Sequence, residues 1–309
     1  MMRTGTDIDG LKANVSRLVL GTAQLGLPYG LANTSRRVDS ALATAIVREA
    51  WKHGIREFDT AQDYGESEYF LGKALSRMDA LSEARITTKL FPALDHLDPK
   101  TLSEALNQSL QVLGVSKLYG LLLHREEKLT LWDHGLAQIL RSFVASEKVE
   151  RIGMSVYSPE KAIQALNTEG LDIVQLPANI LDRRFEKAGV FALARNKKKD
   201  IYIRSVFLQG LILMDAEDVP SKMAFALPLL EKWRAFCKNQ SLSPKKMALG
   251  YVKAEMPEAK VIVGADTPMH IKENCRLWED DLPPALIPQI KKIFDAVDEN
   301  ILNPTLWPK

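Results

Sequence analysis

Cysteine is nearly missing from this chain. Cys237 and Cys275 are the only two, with neither C-x-x-C spacing nor a histidine cluster beside them. That excludes a disulfide scaffold and a thiolate metal site, and the expected compartment is a thiol-keeping, cytoplasmic one. Charge of one sign is missing too. Lysine and arginine number 41 against 39 acidic residues, a formal charge of +2, so neither nucleic acid nor a membrane surface is an expected partner. No stretch reaches the roughly 18 uncharged apolar residues of a membrane span. The opening "MMRTGTDIDGLKANVSRLVLG" lacks an apolar h-region, so no signal peptide is expected. There is no low-complexity linker and no tail of like charge. The densest basic run, "ARNKKKD" at Ala194–Asp200, reads as a helix end, where lysines suit the dipole. One domain over residues 1–309 is the expectation, with a C-terminal extension from roughly residue 283.

What is present is alternation. Short Val-, Ile- and Leu-rich runs recur between longer amphipathic stretches. The strand candidates are "RLVLG" (Arg17–Gly21), "IREFD" (Ile55–Asp59), "RITTK" (Arg85–Lys89), "LYGLLLH" (Leu118–His124), "RIGMS" (Arg151–Ser155), "DIVQL" (Asp172–Leu176), "IYIRS" (Ile201–Ser205) and "VIVG" (Val261–Gly264). Between them, Asp39 caps a helix pattern that puts Leu42, Ala45, Ile46 and Ala50 on one face and ends at Gly54. Asp98 and Pro99 open a second pattern, which stops at Gly114. Ser158 and Pro159 open a third, which closes on Gly170. Eight strands alternating with helices in a chain of this length predict an α/β fold closed into a (β/α)₈ TIM barrel. "PPALIPQIKKIFDAVDENIL" (Pro283–Leu302) reads as an added C-terminal helix whose tail folds over the barrel mouth.

Polar residues stand at the strand ends: Asp59, Lys89, His124, Ser155, Gln175 and Ser205. In such barrels these ends converge on one mouth. Any one of them is ordinary loop polarity, but Lys, His and Asp at successive strand ends are costly if buried and idle. A tyrosine hydroxyl, with a reference pKa of about 10, is a weak acid at neutral pH. A neighbouring ammonium favours the phenolate and lowers that pKa. Lys89 supplies such an ammonium for Tyr64, Asp59 holds it charged, and a neutral His124 can donate a hydrogen bond to a carbonyl oxygen. The set polarises a C=O with no metal and no nucleophile. A nicotinamide would deliver the hydride, which no side chain can do.

These segments resemble the aldo-keto reductase family. "FDTAQDYGESEYFLG" (Phe58–Gly72) is similar to its D-T-A-x-x-Y-G segment, and "ITTKL" (Ile86–Leu90) to its lysine strand. "LNQSLQVLGVSKLYGLLLH" (Leu106–His124) is similar to the signature ending in the active-site histidine. "VQLPAN" (Val174–Asn179), "RSVFLQGL" (Arg204–Leu211) and "VIVGADTPMHIKEN" (Val261–Asn274) resemble its sixth strand, its phosphate loop and its cofactor clamp. The resemblance implies that Asp59, Tyr64, Lys89 and His124 form the catalytic tetrad of an NAD(P)(H)-dependent oxidoreductase. Such an enzyme reduces an aldehyde or ketone, or runs the reverse alcohol oxidation, with Tyr64 as general acid or base.

The resemblance further implies that Ser155 and Gln175 bond the nicotinamide carboxamide, with Gly21, Thr22 and Asp59 beside it. Arg204 takes the place of a stacking tyrosine, and a guanidinium is planar and can stack as well. Ser205, Leu208 and Gly210 fall where the pyrophosphate is cradled. Thr267, His270, Glu273 and Asn274 belong to the clamp. Gly264 and His270 stand where many members carry a lysine and an arginine for the 2′-phosphate. NADP(H) is the first choice of cofactor and NAD(H) the second. Val156 replaces an asparagine and Gly120 an aspartate of the family pattern.

The first loop, "TAQLGLPYGLANTSRR" (Thr22–Arg37), has no G-x-G-x-x-G and is not a Rossmann signal. Tyr29 within it is a candidate for substrate contact or for loop packing. Arg125 is a candidate for contact with an anionic or polyhydroxylated substrate, or a solvated residue. The polar mouth and "IRSVFLQGLILM" (Ile203–Met214) lean toward a sugar-like or otherwise polar small-molecule carbonyl or alcohol. His53, His96 and His134 read as surface or helix-end residues. A monomer or weak oligomer is expected. Two other readings stand beside the oxidoreductase. One is a redox-sensing regulatory barrel that keeps the cofactor. The other is a metal-dependent hydrolase, for which His124 is the sole strand-end histidine. No metal is expected.

Overall fold

The computed structural model describes residues 17–31 and 38–308. The N-terminal segment before Arg17 and the second half of the first loop, residues 32–37, lie outside the described residues.

Eight strands form: β1 Leu18–Gly21, β2 Glu57–Asp59, β3 Arg85–Leu90, β4 Leu118–Leu123, β5 Val149–Ser155, β6 Ile173–Pro177, β7 Asp200–Arg204 and β8 Lys260–Gly264. All pair in parallel, each with its neighbour in sequence, and β1 pairs with β8 to close the barrel. Strands buried on both faces are read as continuous apolar runs rather than as alternation. "LYGLLL" in β4 and "KVIVG" in β8 are of that kind.

Helix starts follow local chemistry. Asp39 accepts from Leu42 N before the Ser40–Lys52 helix. Asp98 accepts from Lys100 N and Thr101 N before Pro99–Leu113, and Ser158 accepts from Lys161 N before Pro159–Asn167. Each cap satisfies amides that have no partner in the first turn. Gly114 closes the second helix at φ 73°. The third ends at Asn167, short of Gly170. In Ser40–Lys52 the buried face is Ala43, Ile46, Val47 and Ala50, so Leu42 and Ala45 lie at its edge. The Val190–Lys197 helix ends in the basic run as expected.

Most of the core lies between barrel and helices. Inside the barrel a separate cluster of Val19, Leu122, Ile173, Tyr202 and Ile262 fills the middle. Beneath it Glu57, 5% exposed, accepts from Tyr202 Oη at 2.6 Å and from Lys260 Nζ at 2.7 Å. The barrel is thus plugged at the N-terminal ends of its strands and open at the other.

The C-terminal segment is two helices, Leu286–Ile293 and Glu299–Leu302, not one. Phe294 is buried edge-on against Trp233 and Phe236. Arg183 pairs with Asp295 and Arg184 with Glu299. No residue of this tail lines the mouth cleft, where it was expected to fold over, and burial of Phe294 holds the segment against Trp233 and Phe236. Among the described residues no helix is long and apolar enough to cross a membrane.

Candidate active site

Backbone bonds set the positions of the candidate residues. Thr22 donates to Asp59 O through both its amide (2.9 Å) and its hydroxyl (3.0 Å). Thr60 N bonds Thr87 O and Gln62 N bonds Lys89 O, which ties the turn after β2 to β3. Ser67 Oγ reaches Thr22 Oγ1 at 2.7 Å, joining the loop after β1 to the helix that follows Tyr64. Gly26 sits under this junction. A Cβ there would stand 1.8 Å from Tyr64 O and 2.6 Å from Ser67 N. Both contacts are backbone, so a side chain at Gly26 must displace the Tyr64 turn. Gly26→Ala is expected to lower kcat/KM by about 100-fold, the usual effect of moving a reacting group by ~1 Å. Steady-state kinetics beside thermal unfolding checks this; wild-type turnover in a folded variant would remove the positioning role.

Four side chains meet at the open end. Lys89 is fully buried, and its Nζ donates to Asp59 Oδ2 at 2.7 Å and to Thr60 O at 2.8 Å. Gln175 Nε2 donates to the other carboxylate oxygen, Oδ1, at 2.7 Å. The ammonium lies 4.9 Å from the centre of the Tyr64 ring. Tyr64 and His124 meet edge to face, with ring centres 5.7 Å apart.

The electrostatics differ in one respect from the sequence reading. Burial first, and the Asp59 carboxylate second, push the Tyr64 phenol above its usual value; the opposing cation is Arg204. Burial and Asp59 thus outweigh the neighbouring cations, and the net shift is upward where the sequence reading expected a lowered value. The Lys89 ammonium donates to Asp59 and Thr60 O, and among the described residues no hydrogen bond joins it to the phenol. Burial also pulls the Lys89 ammonium down, and Asp59 holds against it.

His124 is pulled down to about 3, first by burial and then by Lys89, Arg125 and Arg204. Its Nδ1 is buried without a partner. The imidazole is neutral at physiological pH. Between the unfolded value of about 6.5 and the folded one, the unfolded chain binds the extra proton. The stability that neutral His124 contributes is complete above the unfolded value and is lost as pH falls toward the folded one. His96 acts with the same sign, because burial lowers it too. In His124→Gln, stability followed by denaturant unfolding is expected to fall less steeply than in wild type from pH 6.5 to pH 4, roughly the window between the two values. Equal slopes would count against this assignment.

Beside these groups a cleft of about 740 Å³ opens, within the usual range of ligand sites. Of the predicted residues, Gly21, Thr22, Tyr29, Asp59, Tyr64, Gln175, Arg204, Ser205, Gly210, Gly264, His270 and Asn274 line it. Ser155 lies next to Gln175 in the β5–β6 register and is buried. Leu208 is buried, Thr267 caps the Pro268–Glu279 helix, and Glu273 pairs with Lys245. Lys89, His124 and Arg125 are not among the lining residues; Lys89 bonds Asp59 and His124 packs on Tyr64, both of which line the cleft. The loop after β7 has positive φ at Ser205 (62°), Leu208 (48°), Gln209 (53°) and Gly210 (91°). Backbone in such conformations turns successive N–H groups to one side and forms anion-binding concavities. Asn179 Nδ2 secures the loop at Ser205 O.

The model of the Aldo/keto reductase family matches residues 17–295. The chain belongs to that family. It is 32% identical over 146 residues to Protein REDOX 2 of Catharanthus roseus, a match covering 40% of this chain and 44% of that protein, less than half its length. It is 24% identical over 311 residues to the D-threo-aldose 1-dehydrogenase of a Pseudomonas species, covering 86% and 93%. The crystal structure of an aldo-keto reductase from Klebsiella pneumoniae in complex with NADPH shares the fold. Its TM-score is 0.70 at 18% identity, over 93% of this chain and 94% of that one.

In this aldo/keto reductase the departure at Gly120 has a steric reason. A Cβ there would stand 2.8 Å from Thr87 Oγ1, so any side chain at this position requires Thr87 to shift. Several cleft residues carried no sequence signal. Lys245 comes from the Pro244–Glu255 helix, Gln24 lies against Gly264, and Asp215, Asp218 and Asp266 line the cleft. Tyr157, 4.2 Å beneath the Arg204 guanidinium, was likewise unmarked. His96, read as a surface or helix-end residue, is 1% exposed, with Nδ1 on Leu94 O.

Proposed function

We propose that this chain is an NAD(P)(H)-dependent oxidoreductase that reduces an aldehyde or ketone to an alcohol, or runs the reverse reaction. One observation carries the reading: Asp59, Lys89, Tyr64 and His124 stand together at the end of a closed parallel barrel, beside a cleft of cofactor size. The residues fit a dinucleotide. Among the described residues the buried Asn274 Oδ1 has no hydrogen-bond partner, and Asn274 lines the cleft. The loop after β7, with positive φ at Ser205 and again over Leu208, Gln209 and Gly210, lies along the cleft and suits a pyrophosphate. Gly21, Thr22, Ser155 and Gln175 would hold the nicotinamide end, and Thr267, His270, Glu273 and Asn274 the adenosine end. NADP(H) is the preferred cofactor, with NAD(H) the second choice.

When bound, the nicotinamide supplies a hydride. This chain's residues do the rest. Neutral His124 donates to the carbonyl oxygen and orients it. Tyr64 holds its proton at neutral pH because burial and Asp59 disfavour the phenolate. That is the form the reduction needs, since an alkoxide is a much stronger base and takes the proton as charge develops. Lys89, anchored by Asp59, keeps a positive charge beneath the ring as the phenolate forms. The substrate is expected to be polar. The test is a screen of aldoses, keto-sugars and aromatic aldehydes with NADPH and NADH. No turnover of any carbonyl by protein that binds either cofactor would defeat the reading.

A further inference from the structure

Arg204 ends β7 and lines the cleft. It is half-buried, with its guanidinium stacked 4.2 Å over the Tyr157 ring and Nη2 donating to Val156 O at 3.1 Å. Those two contacts fix the plane of the group and leave other N–H donors unused. Arg151, Arg183, Arg184 and Arg234 each have a carboxylate partner. Among the described residues Arg204 has none, and neither has Arg125, the half-buried residue that follows His124. Lys89 is already satisfied by Asp59. Arg204 lines the cleft and Lys89 lies behind it on Asp59, and among the described residues Asp59 is the only carboxylate paired to either of them. A partly dehydrated guanidinium without a counter-ion is a costly arrangement that an incoming anion relieves. A fixed planar fork matches carboxylate and phosphate oxygens two at a time.

From this arrangement we infer that the substrate is an aldehyde or ketone carrying an anionic group, a carboxylate or a phosphate ester, which the Arg204 guanidinium holds. The inference rests on the carbonyl-reduction reading above and narrows its substrate class. It also assigns Arg204 to the substrate rather than to the nicotinamide face. The Tyr157 ring then serves as a shelf that keeps the guanidinium in place.

The experiment compares matched pairs: 4-oxobutanoate against butanal, and glyceraldehyde 3-phosphate against glyceraldehyde. The two pairs separate a carboxylate from a phosphate source. Wild type is expected to prefer at least one charged member by about tenfold or more in kcat/KM, and Arg204→Gln to lower that ratio by about tenfold. Arg204→Lys, which keeps the charge without the fork, is expected to recover part of it. NADPH affinity, read by fluorescence, is measured in the same variants. Calorimetry with malonate and with inorganic phosphate, with and without NADPH, reads anion binding without turnover. Equal use of charged and neutral members by wild type would overturn the inference and leave carbonyl reduction standing. So would an Arg204→Gln variant that loses NADPH affinity with the ratio unchanged, since Arg204 would then serve the cofactor. Anion binding that depends on Arg204, without turnover of any carbonyl, would keep the receptor and overturn the reduction reading.

Discussion

Tyr64→Phe is expected to lose about 10²- to 10⁴-fold in kcat, the range associated with removing a positioned acid. The substitution keeps the ring that meets His124 edge-on and lies 4.9 Å from the Lys89 ammonium. Only the hydroxyl goes, so the fold and the cofactor cleft should survive. The dissociation constant for NADPH is expected to stay within about threefold of wild type, and kcat/KM to fall with kcat, the pattern of an interaction made only in the transition state. Stopped-flow measurement of hydride transfer, beside a fluorescence titration of the cofactor, separates the two quantities. A Tyr64→Phe protein that reduces carbonyls at the wild-type rate would dispose of this phenol as the acid. So would a loss traced entirely to cofactor binding.

The second large effect concerns Lys89. Its side chain is fully buried, and its carboxylate partner is 4% exposed. Lys89→Met fits the space but strands the Asp59 carboxylate, which keeps only its bond from Gln175 Nε2. Breaking one side of a buried pair costs about 3–5 kcal/mol, because the remaining charge is desolvated without compensation. Asp59→Asn combined with Lys89→Met removes both charges. It should recover part of the stability, since the pair is strongly coupled, yet recover none of the activity, because the positive charge beneath Tyr64 is still absent. Chemical denaturation of the two single variants and the double variant checks the coupling, and steady-state assays check the rest. Additive stability losses would mean that the pair is not the unit described here.

Asp59, Tyr64, Lys89 and His124 were legible in sequence because each stands at a strand end or in the turn after one. A closed parallel barrel sends all such ends to one face. Strand borders were legible to within a residue or two because strands buried on both sides must be apolar throughout. The bend in the C-terminal segment was not legible. Its apolar residues fit one long helix as well as two short ones, and only the aromatic seat offered by Trp233 and Phe236 decides between them. The burial of His96 was equally silent, since a loop histidine carries no periodicity.

The chain by itself determined the barrel, the strand order and the residue types gathered at its mouth, because period, caps and strand ends are local properties written in consecutive residues. The tertiary structure alone decided how their charges balance: that the Lys89 ammonium pairs with Asp59, that burial and Asp59 disfavour the Tyr64 phenolate, and that Arg204 faces the cleft with no carboxylate partner among the described residues. Those outcomes depend on desolvation and on distances of a few ångströms between residues far apart along the chain. Electrostatic energy is set by such separations and by the local dielectric, neither of which a sequence states.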